Sequence, residues 1–199
     1  MHEVGHQAAG AIEREDNGER PRILVHRRGI PMLRPEDSFE VWRNMFRDLH
    51  GSAFHLEVRD EYHVPAEDER LQRFLRGVPT PTPWLPWHDL VRETVERGVA
   101  MQRLRVVTVP HSDYQRWLLS VAGRGIEAGE DIRYLPRHLA GEVPPDDWWL
   151  MDDRVVFNLV DAAGAPAGLA VSEDPHIVGY CRTVRTRLWG LATPYAEYL

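Results

Sequence analysis

The sequence contains no lysine; all 24 of its basic residues are arginine. A Schiff-base lysine, the phosphate-holding lysine of a P-loop and the lysine of an H-x-K phosphodiesterase motif are therefore excluded. Cys181 is the one cysteine, so no intramolecular disulfide can form, and a cytoplasmic protein is the expectation. No run approaches the ~18 apolar residues that span a bilayer, and no apolar stretch follows a basic start as in a signal peptide. Basic residues are outnumbered by 31 acidic ones, for a net charge of −7. That balance argues against direct binding to nucleic acid or to an anionic membrane.

What is present suits one globular domain. A chain of 199 residues, 43% hydrophobic with seven tryptophans, buries about 70% of its unfolded surface without help from metals or disulfides. Residues 1–37 are polar and charged apart from the ILV cluster at 23–25, and read as a flexible arm ahead of a domain over 38–199. Asp37 or Ser38 caps a helix to about His50, with Phe39, Trp42, Met45, Phe46 and Leu49 as its apolar stripe. SAFHLEV at 52–58 alternates as a strand does, placing Phe54, Leu56 and Val58 on one face. Pro65 opens a second helix with an acidic first turn, buried through Leu71, Phe74 and Leu75 and ended by Gly77. The proline-rich stretch 78–86 marks either a subdomain boundary or a long crossover, and a third helix follows to about Arg97.

RLRVVTV at 103–109 has a nearly continuous apolar middle, as a strand covered on both faces does. A fourth helix runs from Ser112 to about Ala122, and GRGIEAGED is a loop into the short strand IRYL. WWLMDD and RVVFNLVD pair as a hairpin, and AAGAP at 162–166 turns the chain into a returning strand. Asp174 and Pro175 begin the last helix, through Ile177, Val178, Val184, Leu188, Trp189 and Leu191. Strands alternating with helices give an α/β fold, a central mixed sheet with flanking helices.

Several patterns invite a catalytic reading, and most have a plainer one. His2-Glu3-Val4-Gly5-His6 fits the zinc motif HExxH, but it opens a polar arm with no wall and no third ligand fixed by spacing. No metal or other cofactor is expected. Gly123-x-Gly125 follows a helix rather than a strand, unlike a dinucleotide-binding turn. His111, Ser112 and Asp113 are adjacent in sequence, which is not a triad, and Ser112 or Asp113 is better used as a helix cap.

The densest polar set is Tyr114, Arg116, Trp117, Glu130, Asp131, Arg133 and Arg137. Planar guanidiniums suit carboxylate or phosphate, and the acids can pair with them internally. An ion-pair network and a ligand site are both open readings. The same holds for Asp152 and Asp153 before Arg154, as a turn or as an acid–base pair. The expectation is a recess in which Arg59, Arg116, Arg133 and Arg137 contact an anionic ligand. Tyr62, Tyr114, Trp117 and Trp149 wall it, and Glu130, Asp131, Asp152 and Asp153 orient the arginines or receive a cationic group.

LEVRDEYHVP at 56–65, SDYQRW at 112–117, AGEDIRYLPR at 128–137, WLMDDRVV at 149–156 and EDPHIVGYCRTVRTRLWGLATPY at 173–195 resemble an actinobacterial domain-of-unknown-function family, DUF6879. The resemblance covers about residues 38–198, and Leu118 departs from it where an acidic residue is expected. Members are often encoded beside helix-turn-helix regulators, which implies such a regulator as a protein partner. The order of elements also resembles one half of a phospholipase D-like fold, which occurs as a non-catalytic sensor module. Together these imply a non-enzymatic regulatory or accessory protein that binds a small anionic ligand, a protein partner or both. The alternative is a transferase-like enzyme using Tyr114, Glu130 or Asp152 as acid–base groups.

Overall fold

Alternating apolar residues set the sheet. In the computed structural model, which describes residues 32–33, 38–79, 81–161 and 165–199, the strands are β1 (Met32–Leu33), β2 (Ser52–Glu57), β3 (Ala100–Val107) and β4 (Asp131–Pro136), then β5 (Trp148–Met151), β6 (Arg154–Val160), β7 (Pro166–Ser172) and β8 (Thr193–Pro194). Among the described residues they form one sheet, in the order β1-β7-β6-β5-β2-β3-β4-β8. β2, β3 and β4 are parallel neighbours and every other pairing is antiparallel. This is the mixed sheet with flanking helices that the sequence led us to expect.

Parallel neighbours need crossovers. After α1 (Ser38–Arg47), the first crossover carries α2 (Pro65–Leu75) and α3 (Pro86–Glu96), and the second carries α4 (Asp113–Val121) and α5 (Gly123–Glu127). The proline-rich stretch 78–86 thus joins two helices inside the β2-to-β3 crossover. α6 (Arg137–Ala140), α7 (Pro175–Leu191) and α8 (Tyr195–Tyr198) complete the helices of the described residues. None is long and apolar enough to cross a membrane.

The two sheet faces differ in chemistry. Phe54 and Leu56 of β2, Leu104 and Val106 of β3, and Trp148 and Leu150 of β5 meet Val178, Cys181, Val184 and Leu188 of α7 in an apolar layer. The other face receives Val41 and Phe46 of α1 and Leu90 and Val91 of α3, packed on Met101, Trp149 and Met151. That face also carries charge.

Several boundaries differ from the sequence reading. Met32–Leu33, inside the 1–37 arm, add an edge strand to β7, while the HExxH segment and residues 162–164 lie outside the described residues. α2 buries no residue fully, and Leu75 is 41% exposed. Leu71 and Phe74 rest instead on Tyr114 and Trp117 of α4. The expected loop at 123–131 contains α5, despite its glycines. Gly125 is required there, because a Cβ would sit 2.8 Å from Glu130 Oε2. Gly129, at φ +106, then turns the chain into β4.

Candidate functional site

Strand register builds a buried charge cluster on the face under α3, α4 and α5. β2 pairs with β3 so that His55 lies opposite Arg103, and Glu57 opposite Arg105. Residues two apart on a strand share a face, so all four project from one side of the sheet. Arg103 is the bridge. Its Nη1 donates to Glu57 Oε1, and its Nε to Glu130 Oε1 at 2.8 Å. Burial alone would raise the Glu57 carboxyl, but the guanidiniums of Arg105 and Arg103 outweigh it and hold the group well below the usual carboxylate range. Two arginines and two glutamates leave the cluster neutral in sum, as burial demands.

His55 adjoins the cluster through Glu57. Its ring stacks on Trp149, with centroids 4.1 Å apart and planes 11° apart. Nδ1 is 3.2 Å from Glu57 Oε1, without the alignment of a hydrogen bond. Burial drives its pKa down to about 4, against a partial opposing pull from Glu57, so the ring is neutral near pH 7.

Arg105 is less well served. Its Nε lies 2.9 Å from Glu57 Oε2 without hydrogen-bond alignment, and its Nη1 has no partner. The residue is only 9% exposed. With Arg103 and Glu130 it borders a cavity of about 180 Å³ walled by Trp87, His88 and Trp117. Arg70, Thr82, Trp117 and Val121 also line an outer pocket of about 350 Å³, whose rim is Phe74 with Pro79, Pro81 and Pro83. The inner chamber, floored by the charged groups of the sheet, therefore adjoins a vestibule of mixed polarity beside the proline-rich connector.

The expected recess does not form from the residues assigned to it. Arg116 is on the outer face of α4, paired with Asp113 in solvent. Arg133 lies on the opposite sheet face, held by Asp131 at 3.0 Å and placed 4.2 Å over Trp189 of α7. Trp149 is 3% exposed, in the core between Trp42, Phe46 and Trp87. These three, expected to meet, occupy separate surroundings: Arg133 and Trp149 project from opposite faces of the sheet, and Arg116 from the solvent side of α4.

The remaining candidates divide. Glu130 and Trp117 do reach the inner chamber. Tyr114 is buried beside it, donating to Glu67 Oε2 at 2.5 Å. Tyr62 donates to Asp147 Oδ2 at 2.5 Å, and Arg59 lies 3.7 Å from exposed Asp146. Arg137 acts as a strut, its Nη2 donating to the carbonyls of Val58 and Val106 across the ends of β2 and β3. Tyr114, Glu130 and Asp152 do not share a cavity, so the acid–base set of the enzyme reading is not assembled.

Asp152 and Asp153 form the β5–β6 turn. Asp152 has φ +50 and accepts from the backbone N–H of His50, Gly51 and Ser52 at 2.8–3.0 Å. Burial would raise its pKa, but those three donors lower it overall. Asp153 pairs with Arg182 in solvent. Asp152→Ala should cost about 2 kcal/mol in urea denaturation by losing three hydrogen bonds and placing Ala at positive φ, and Asp152→Asn distinctly less. Equal losses for the two would show that the turn does not depend on this carboxylate.

Sequence reading passed over His55, Glu57, Arg103, Arg105 and Asp147. Two signals were available, H-x-E at 55–57 and R-x-R at 103–105, polar pairs with strand spacing inside otherwise apolar strands. Asp147, at the start of β5, accepts from Val58 N and Tyr62 OH, and burial lifts its pKa to about 6 in spite of both bonds.

The family model described as a domain of unknown function, DUF6879, matches residues 40–199. No curated protein matches. Among solved structures, TrmBL2, an archaeal chromatin protein whose structure shows a novel mode of DNA binding, is similar at 14% identity and TM-score 0.49, over 83% of this chain and 54% of its own. The chain thus spans about half that protein's length. Nuc, a phospholipase D family member from Salmonella typhimurium, is similar at 11% identity and TM-score 0.46, over 81% of this chain and 93% of its own. NucT from Helicobacter pylori is similar at 10% identity and TM-score 0.46, over 80% and 91%.

Proposed function

The chain belongs to the DUF6879 family of unknown function, and from that premise we propose that it is a non-enzymatic accessory module whose inner chamber binds a small molecule with an anionic head and an apolar flank. One observation carries the reading. Arg105 is a buried guanidinium with only a share of one carboxylate, an unpartnered Nη1 and a place on the chamber wall. A guanidinium offers five N–H donors in a planar fork, and an incoming oxyanion fits the unused ones. The vestibule of Phe74, Pro79, Pro81, Pro83 and Trp117 suits an aromatic or aliphatic flank.

A net charge of −7 disfavours direct nucleic-acid contact. The partner that fits is a helix-turn-helix regulator, which would supply that contact itself. Phenyl phosphate is a suitable first probe, since its ring and its dianion match the two compartments. It should raise the melting temperature in a concentration-dependent way and give a saturable calorimetric isotherm. Arg105→Gln should weaken binding about tenfold or more, the loss of one charge-assisted contact. Equal binding by wild type and variant would sink the proposal.

A further inference from the structure

The geometry points to a second oxyanion site on the opposite sheet face, centred on Arg185 of α7 and independent of the Arg105 chamber. Arg185 is one turn from Cys181 and three residues before Leu188, both of which face the apolar layer. An apolar side chain would be ordinary at that spacing. Instead the guanidinium lies 5.6 Å over the Phe54 ring, Nη2 donates to Gln102 Oε1 at 2.6 Å, and the buried Nε has no partner.

No carboxylate offsets this cation. Among the described residues Arg185 forms no ion pair, although eight other arginines do. Burial lowers its pKa with no charged neighbour opposing the shift. The groove beside it holds about 580 Å³ and is lined by His50, Asp152, Asp153, Arg182, Arg185 and Thr186. Both acids there are already committed, Asp152 to three backbone amides and Asp153 to Arg182.

An uncompensated, half-buried guanidinium is a standing electrostatic cost, and an oxyanion relieves it. The Arg182–Asp153 pair is neutral in sum and stays as it is, which leaves Arg185 as the unoffset cation of the groove. The groove is polar and open, which fits a small hydrophilic phosphate or carboxylate rather than the amphipathic molecule inferred for the chamber.

The test reads Arg185 itself in the full chain, through the Nε–Hε resonance of 15N-labelled protein titrated with inorganic phosphate and, separately, with acetate. A saturating shift at about 10 mM anion or below, with either or both anions, supports the site, and the preferred anion names its chemistry. A shift that stays linear with both anions, or none, overturns it. Arg185→Met gives a second, independent reading. In anion-free buffer it should melt at or above the wild-type temperature, because an unpaired cation becomes an apolar contact on Phe54, and it should lose the phosphate-dependent rise. A variant that keeps the full rise would likewise overturn the site.

Discussion

Glu57→Gln is expected to be the most damaging single substitution in the chain, lowering stability by about 3–5 kcal/mol. The carboxylate is 7% exposed and is shared by Arg103 and Arg105. Its neutralisation leaves the cluster with two guanidiniums against Glu130 alone, so a buried positive charge is uncompensated. A chain of this kind has about 5–15 kcal/mol of stability in all, so the variant sits near the threshold of folding. Removing the matching cation should rescue it. Glu57→Met with Arg105→Met leaves Arg103 paired with Glu130, and most of the lost stability should return. A double-mutant cycle in urea measures the coupling, expected at about 2 kcal/mol or more. Additive losses would mean that Glu57 and Arg105 are not an interacting pair.

The second large effect is a reversal of sign with pH. His55 has a folded pKa near 4, below its ordinary 6.5. The unfolded chain therefore binds its proton first, and stability present above pH 6.5 is lost as pH falls toward 4. Asp147 has a folded pKa near 6, above its ordinary 3.8. Here the folded chain binds the proton first, and stability is gained as pH falls from 6 to 3.8. Each contribution is about 3 kcal/mol by linkage, so in the wild type the two largely cancel between pH 6 and 4. His55→Gln removes the loss, and its stability should rise on acidification through that window. Asp147→Asn removes the gain, and its stability should fall. Urea titrations at pH 6, 5 and 4 read the slopes directly; two variants with wild-type slopes would show that neither group titrates as its burial requires.

How far the sequence discloses this molecule depends on range. Local chemistry is legible: Asp174 does cap α7, accepting from His176 N and Ile177 N, and Ser112 caps α4 by accepting from Gln115 N. Alternation at 52–58 gives β2, and the Asp152–Asp153 turn gives the β5–β6 hairpin. Long-range register is not legible. H-x-E and R-x-R become a network only because β2 and β3 are neighbours with His55 opposite Arg103, and no spacing within either strand states that. Arg116 and Arg133 were expected to contact an anionic ligand in one recess. Each had a nearer acid to hold it, Asp113 at i−3 and Asp131 at i−2. α5 was hidden by the low helix propensity of glycine, whereas Gly125 is selected by the approach of Glu130.

A crystal structure of the chain with phenyl phosphate decides whether the chamber is a binding site. The expected result is a phosphate oxygen within hydrogen-bond distance of Arg105 Nη1, at about 3 Å, with the ring between Trp117 and the proline rim. Phosphate found elsewhere on the protein, with the Arg103–Arg105–Glu130 chamber holding only water at saturating ligand, would contradict it.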